Sequence, residues 1–443
     1  MLQQHMWYCY HAAIDTELRQ CRDEGRDVSA LEDKARAIGI TAPCTEEEYN
    51  KVMAMLDELE ALPLPSDAEL TEPNTLNAIH AAALPRRAAT PYDKSAIQSK
   101  LHGAWLGRIC GCMLGKTVEC IRTNELIPFL KETGNYPMHR YIARKDLENT
   151  DVSKYKFNFP ARIYADEIDA MPVDDDTNYV VLAQEIVEKY GRDFTPFDVS
   201  RAWLQYQGKD AYCTAERVAF CNFVNGYAPP QSAVYKNPFR EWIGAQIRGD
   251  YFGYINPGDP KAAAEMAWRD ASISHVKNGI YGEMFVAAMI AVAASTNNIE
   301  DVILAGLAEI PQTSRLSEDV MSVVEAHRKG VAQEDCFRRI HEKYDEYNGH
   351  GWCHTNANAM VAAAALLYGE GDFAKSLCMS VETGFDTDCN GATVGSVLGM
   401  ANGRGTIPEV WSAPFHNRLH TSIFGVGTVK ISDCVAKTMT HIR

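Results

Sequence analysis

The chain has 443 residues, 46% of them hydrophobic, which is enough for one large domain with an appendage or for two domains. Its net charge of −16 argues against a general grip on nucleic-acid backbones or anionic membranes, but not against a small anionic ligand held beside divalent cations. The first twenty residues, with His5, Asp15, Glu17 and Arg19, lack the apolar core of a signal peptide.

Residues 1 to about 62 predict two or three amphipathic helices. Thr45-Glu46-Glu47-Glu48 has the pattern of a capping box, after which Tyr49, Val52, Leu56 and Leu59 share one face. Between Leu62 and Thr90, Pro63, Pro65, Pro73 and Pro85 break the pattern and predict a linker or a wrapping segment. Residues 1–94 are therefore expected to be a helical N-terminal extension and linker, packed on the main domain or on another subunit. From Ser95 on the chain is mostly helical, and an all-α domain over residues 95–443 is expected. Lys154–Tyr164 is the best of a weak set of strand candidates. The apolar runs Phe285–Ala294 and Met360–Leu367 are too short and alanine-rich to cross a bilayer and predict buried helices.

Gly103, Gly107, Gly111 and Gly115 recur every four residues, and so do Gly391, Gly395, Gly399 and Gly403. Each glycine inside a helix costs ~1 kcal/mol against alanine, and close approach of two helices along their glycine faces would offset that. Such stripes also occur in membrane helix dimers, but Arg108, Lys116, Asn390 and Asn402 point to a soluble bundle. The 13 cysteines are scattered, with only Cys110-Gly111-Cys112 closely spaced, so free thiols in a reducing cytoplasm are expected. His350-Gly-Trp-Cys353-His354 is the one candidate for zinc; its Gly and Asn neighbours also read as a loop that approaches a ligand.

Two acidic motifs stand at helix starts. Asp174-Asp175-Asp176-Thr177 precedes Tyr179, Leu182, Ile186 and Tyr190 on one face, with Gly191 as C-cap, and Gly384-Phe385-Asp386-Thr387-Asp388 precedes the second glycine stripe. Carboxylates there can simply cap N–H groups and complement the dipole. Five acids brought together would instead repel one another unless cations lie between them. Oxygen ligands without histidine suit Mg²⁺ or Mn²⁺ better than zinc.

Three ordered motifs carry a resemblance. Gly103-Ala-Trp-Leu-Gly107-Arg-Ile-Cys-Gly111-Cys-Met-Leu-Gly115-Lys-Thr-Val-Glu119, the Asp174–Thr177 motif and the Gly384–Asp388 motif resemble those of the ADP-ribosylglycohydrolase family, from about Ser95 to the C-terminus. The resemblance implies an all-α domain of the orthogonal multi-helix type, two Mg²⁺ or Mn²⁺ ions and a substrate in which ADP-ribose is joined through C1 of its distal ribose. The partner would be an ADP-ribose-containing small molecule or an ADP-ribosylated protein. By motif, Asp175, Asp176, Asp386 and Asp388 are metal ligands, and Asp174 stands where the family commonly has Thr or Ser, adding a further hard ligand. Cys389 likewise replaces a Thr or Ser; a thiol is a poor Mg²⁺ ligand, so the second ion is expected to be weakly held, water-completed or Mn²⁺, or Cys389 is merely buried.

Cleavage at C1 passes through an oxocarbenium-like transition state. Glu119, Asp176 and Asp386 are the candidate catalytic carboxylates, and Glu119 or Asp386 could take a proton from the attacking water; Glu119 could alternatively salt-bridge Lys116 one turn away. His275, Gly279, His354 and Asn356 are candidate substrate contacts from two polar segments, and the histidines could equally be core or cap residues. Arg248 could meet a phosphate or pair internally with Asp250 or Glu241. Two other activities stay open. One is removal of a phosphate or acyl group from an ADP-ribose derivative, and the other is ADP-ribose binding without catalysis.

Overall fold

The computed structural model describes residues 10–38, 45–85 and 88–443, with side chains of residues 10–12 set aside. His5 and the rest of the first nine residues therefore lie outside the described residues. The architecture is all-α, with 23 α-helices and one two-stranded antiparallel hairpin, Arg418–His420 against Thr428–Lys430, among the described residues. The strand expected at Lys154–Tyr164 is not formed. That stretch holds the 3₁₀ turns Val152–Lys154 and Phe159–Ala161, and its aromatic residues Tyr155, Phe157 and Phe159 pack on Phe129 and on one another rather than alternating across a sheet.

Two antiparallel helices, Ile97–Lys116 and Thr387–Asn402, meet backbone to backbone at the centre. A methyl group placed on Gly103 would lie 2.3 Å from the Gly399 carbonyl oxygen, one on Gly107 2.1 Å from that of Gly395, and one on Gly111 1.9 Å from that of Gly391. Gly115 meets the backbone of Thr387 and Asp388 in the same way. Only glycine permits this approach. Gly403 is not part of the stripe: it is the C-cap, with φ of +81°. The consequence for function is that the first residues of the second glycine helix are held rigidly against the end of the first.

Around this pair stand Asn278–Ala293, buried along its whole length, and Thr355–Tyr368, buried up to Leu367, as the apolar runs predict. Asp175–Tyr190 buries Tyr179, Leu182 and Ile186 and ends at Gly191 with φ of +75°. No helix among the described residues is long and apolar enough to cross a membrane.

The N-terminal helices Tyr10–Asp23 and Glu46–Glu60 have their own apolar cluster, in which Ile14 and Leu18 pack with Val52, Met55, Leu56 and Leu59. The capping box at Thr45 and Glu48 is formed. These helices dock on the rest of the chain mainly through buried charge. Arg240 pairs with Glu17 at 2.7 Å and Glu24 at 2.8 Å, and Gln20 donates to Glu241 at 2.6 Å. The proline-rich segment wraps rather than dangles: Trp268 donates to the Asn74 carbonyl, Tyr281 to that of Pro73, and Arg315 pairs with Glu72 at 2.8 Å. Removing one partner of a buried pair of this kind costs about 3–5 kcal/mol.

Candidate metal centre and substrate cavity

The close packing of the glycine helices brings the two acidic motifs to one cavity of about 690 Å³, lined by Glu119, Asp174, Asp175, Asp386, Asp388 and Cys389 among others. Asp176 lies just behind its wall. Ligand atoms of Asp176, Asp388 and Cys389 lie within 4.8 Å of one another, and so do those of Cys112, Asp174 and Asp176, so Asp176 is shared between the two groups.

The choice between capping and ligation divides residue by residue. Asp174 is the N-cap of its helix, accepting from the Asp176 N–H at 2.9 Å, and its other oxygen pairs with Lys116 at 2.6 Å. Both of its oxygens are engaged, and although burial opposes ionisation, Lys116 holds its carboxyl below the usual range. Asp176 is fully buried. One oxygen pairs with Arg108 at 2.9 Å, and the other, Oδ2, has no partner among the described residues. Asp386 is the N-cap residue of the second glycine helix but makes no capping hydrogen bond with its side chain. It accepts from the Cys353 thiol at 3.3 Å, while Asn358 Oδ1 accepts from its backbone N–H at 3.2 Å and fixes the turn.

Burial pushes the carboxyls of Asp175, Asp176, Asp386 and Asp388 upward, and neighbouring acids add to this in each. Glu119 is raised to about 7, first by burial and then by Asp386 and Asp174. A buried acid cluster with an orphaned oxygen fits the chemistry of a divalent cation: positive charge between the carboxylates would remove the repulsion that drives these shifts. Asp175, Asp176, Asp386 and Asp388 offer the hard oxygen donors, and Cys389 adds sulfur.

Lys116 does not pair with Glu119; its ammonium goes to Asp174, which leaves the Glu119 carboxyl on the cavity wall. Thr177 supports the first motif by donating to the Asp174 carbonyl at 3.3 Å. The substrate contacts expected from the polar segments are placed away from this cavity. None of His275, Gly279, His354 and Asn356 lines this cavity. His275 is fully buried against Ser274, Gly279 is packed on the Arg240 carbonyl, and Asn356 donates to Asp319 at 2.9 Å. His354 lies in extended backbone bridged to Trp242, so Cys353 faces the acids and its neighbour His354 faces away. Arg248 does pair internally, but with Glu216 and Asp270 rather than Asp250 or Glu241.

The zinc-like sequence is split between two clusters. Cys353 belongs to the acid cluster, while His350 and His354 meet Asp23 of the N-terminal helix at 2.7 and 3.8 Å. Trp242 Nε1–H donates to His350 Nδ1 and the Asn356 N–H donates to His354 Nδ1. Burial lowers His354 to about 4, which favours its neutral ring. His350 Nε2 bonds the Asp23 carboxylate, whereas His354 Nε2 is buried without a hydrogen-bond partner among the described residues; ligand atoms of Asp23, His350 and His354 lie within 4.8 Å of one another, close enough to hold a metal ion. Through His350 the N-terminal helix steadies Trp242, a cavity residue.

Several cavity residues escaped the sequence. Trp242, Cys213, Glu216 and Ser422 line the cavity from distant segments, and nothing in their local sequence marks them, whereas Trp352 and Cys353 come from the loop read as approaching a ligand. Arg108 did carry a signal. A charged residue among buried apolar neighbours on a glycine helix requires counter-charges, here Asp176 and Asp250, each at 2.9 Å.

An all-α domain in which glycine helices clamp two acidic motifs onto one cavity is what the fold and the site define. Residues 93–433 match the ADP-ribosylglycohydrolase family, and the chain belongs to it. A solved structure described as an ADP-ribosylglycohydrolase-related protein complex aligns over 78% of this chain and 98% of its own, at 17% identity and a TM-score of 0.46. No curated protein matches the chain significantly.

Proposed function

We propose that the protein is a Mg²⁺- or Mn²⁺-dependent hydrolase that releases ADP-ribose from an ADP-ribosylated protein side chain or small molecule by cleavage at C1 of the distal ribose. The observation that carries this reading is the convergence of both acidic motifs on one cavity, with the free Oδ2 of Asp176 between them. Asp175, Asp176, Asp386 and Asp388 are the proposed ligands. When bound, divalent ions would fix the ribose hydroxyls and lower the pKa of a bound water. Glu119, whose carboxyl lines the same cavity, can hold or accept a proton there. Asp386 is held in place by Asn358 and Cys353, and Trp242 and Trp352 supply apolar walls that exclude water. Residues 95–443 form the catalytic domain in this reading, and residues 1–94 brace it. A cytoplasmic setting accords with the free thiols among the described residues.

The test is release of free ADP-ribose from ADP-ribosylated arginine, serine or a small-molecule conjugate in the presence of Mg²⁺ or Mn²⁺. Folded protein that binds the metal yet turns over none of these would overturn the proposal.

A further inference from the structure

The first helix of the N-terminal extension, Tyr10–Asp23, ends in a carboxylate that meets two histidines of the main domain. His350 and His354 are four residues apart, one in the helical turn Gly349–Cys353 and the other the N-cap of Thr355–Tyr368. Their ring centres lie 5.1 Å apart, edge to face, and both Nε2 atoms approach Asp23 Oδ2, at 2.7 and 3.8 Å. His354 is 1% exposed, and its Nε2 has no hydrogen-bond partner among the described residues. Its ring is stacked on Tyr344, whose hydroxyl donates to Asp319 at 2.6 Å, so the orphaned nitrogen is held in a fixed direction.

The charge of Asp23 is left for something else to balance. Among the described residues it has no Lys or Arg within 4.0 Å. Two cations of this junction, Arg240 and Arg315, are each already matched by two acids, Glu17 and Glu24 for the first and Glu72 and Glu241 for the second. The Asp23 side chain is 39% exposed and lines an outer pocket of about 200 Å³ between the extension and the main domain, which gives an ion a path in from solvent. Two imidazoles and one carboxylate are the donor set of zinc sites, with a fourth position left for water, and are too soft for Mg²⁺.

We infer that Asp23, His350 and His354 form a binding site for Zn²⁺ that fastens the N-terminal extension to the main domain and competes with the hydrogen bond that holds Trp242. A neutral imidazole that ligates through Nε2 carries its proton on Nδ1. In His350 that atom accepts from the Trp242 indole N–H, and in His354 from the Asn356 N–H, both at 3.1 Å. Binding therefore moves one proton on each ring from Nε2 to Nδ1: the ion gains two nitrogens, and Trp242 loses its acceptor. Trp242 lines the acidic cavity, so the ion reaches the cavity wall through a single ring. Asp23 lies outside the family match of residues 93–433, which makes the site a property of this chain's own extension and independent of what the acids hydrolyse.

Calorimetry with Zn²⁺ on the full chain, comparing the parent with Asp23→Asn and His354→Asn, tests the site; asparagine keeps a capping oxygen at position 354. Zn²⁺ taken up by the acidic cavity is common to all three proteins and cancels in the comparison. The parent is expected to bind one further Zn²⁺, at least about tenfold more tightly than either variant. Equal binding by the parent and Asp23→Asn overturns the inference, as does a folded His354→Asn that binds like the parent. Asp23 is partly exposed, so its variant alone decides if His354→Asn folds poorly. Trp242→Phe removes the competing N–H donor and should tighten this ion about fivefold, the worth of one neutral hydrogen bond. An affinity that Trp242→Phe leaves unchanged or weakens overturns the link to the cavity wall.

Discussion

Gly111→Ala tests the frame that brings the acids together. In an exposed helix this change would stabilise by ~1 kcal/mol. Here the new methyl group would sit 1.9 Å from the Gly391 carbonyl oxygen and 2.2 Å from its carbonyl carbon, both backbone atoms that no rotamer change can move. The helices would have to part by roughly 1 Å, in an interior that tolerates little change in volume. Overpacking costs about 1–3 kcal/mol where side chains can adjust; with backbone on both sides the upper end applies, so the net effect is destabilisation by about 2 kcal/mol or more. Because the Thr387–Asn402 helix begins at the acidic motif, the same displacement moves Asp388 away from Asp176, and a misplacement of this size can lower turnover by about 10²-fold. Urea denaturation of the metal-free protein measures the first effect, and the rise in melting temperature on adding Mn²⁺ measures the second. Gly405→Ala, with nothing within 4 Å of the added carbon, is the control and should lie within about 0.5 kcal/mol of the parent. A Gly111→Ala protein as stable as the parent, with an intact response to Mn²⁺, would refute the backbone-to-backbone frame.

Asp388→Asn should abolish turnover and most of the melting-point gain from divalent ions while leaving metal-free stability unchanged or raised, because it removes one of several mutually repelling buried acids; a full metal response in this variant would show that Asp388 is not a ligand. Glu119 makes metal-free stability depend on pH: its folded pKa of about 7 lies above the ordinary 4.5, so its contribution is complete below about pH 4.5 and is lost as pH rises through 7. That contribution is up to about 3 kcal/mol. Melting temperature should therefore fall between pH 5 and 8 without metal, and Glu119→Gln should flatten the fall; an equal fall in the variant would count against it. Cys389→Ser should raise affinity for Mg²⁺ relative to Mn²⁺, read by calorimetry, since a hydroxyl is the harder donor; an unchanged ratio would show the thiol to be a bystander.

Much of this protein was legible because it rests on local rules. Capping chemistry set the Glu46–Glu60 helix, period-3.6 patterning set Asp175–Tyr190, and alanine-rich apolar runs set the buried helices. The glycine stripes went further: seven in-helix glycines make sense only if something presses against them, so the pattern implied a tertiary contact. Lys154–Tyr164 misled because aromatic and β-branched residues favour strands only where a neighbouring strand exists to pair with.

What the sequence by itself determined, then, is the all-α class, the central glycine contact and the two acidic motifs, each written in residues a few positions apart. Tertiary structure alone decided the use of each carboxylate: Asp174 caps its helix and pairs with Lys116, whereas Asp176 keeps an oxygen without a partner among the described residues. It also decided that Cys353 faces the acids while His354 turns to the N-terminal helix. These are matters of side-chain direction and of proximity between segments far apart in the chain. A charge in the sequence says only that a partner is needed; the partner is chosen by whichever distant segment the folded backbone places within reach.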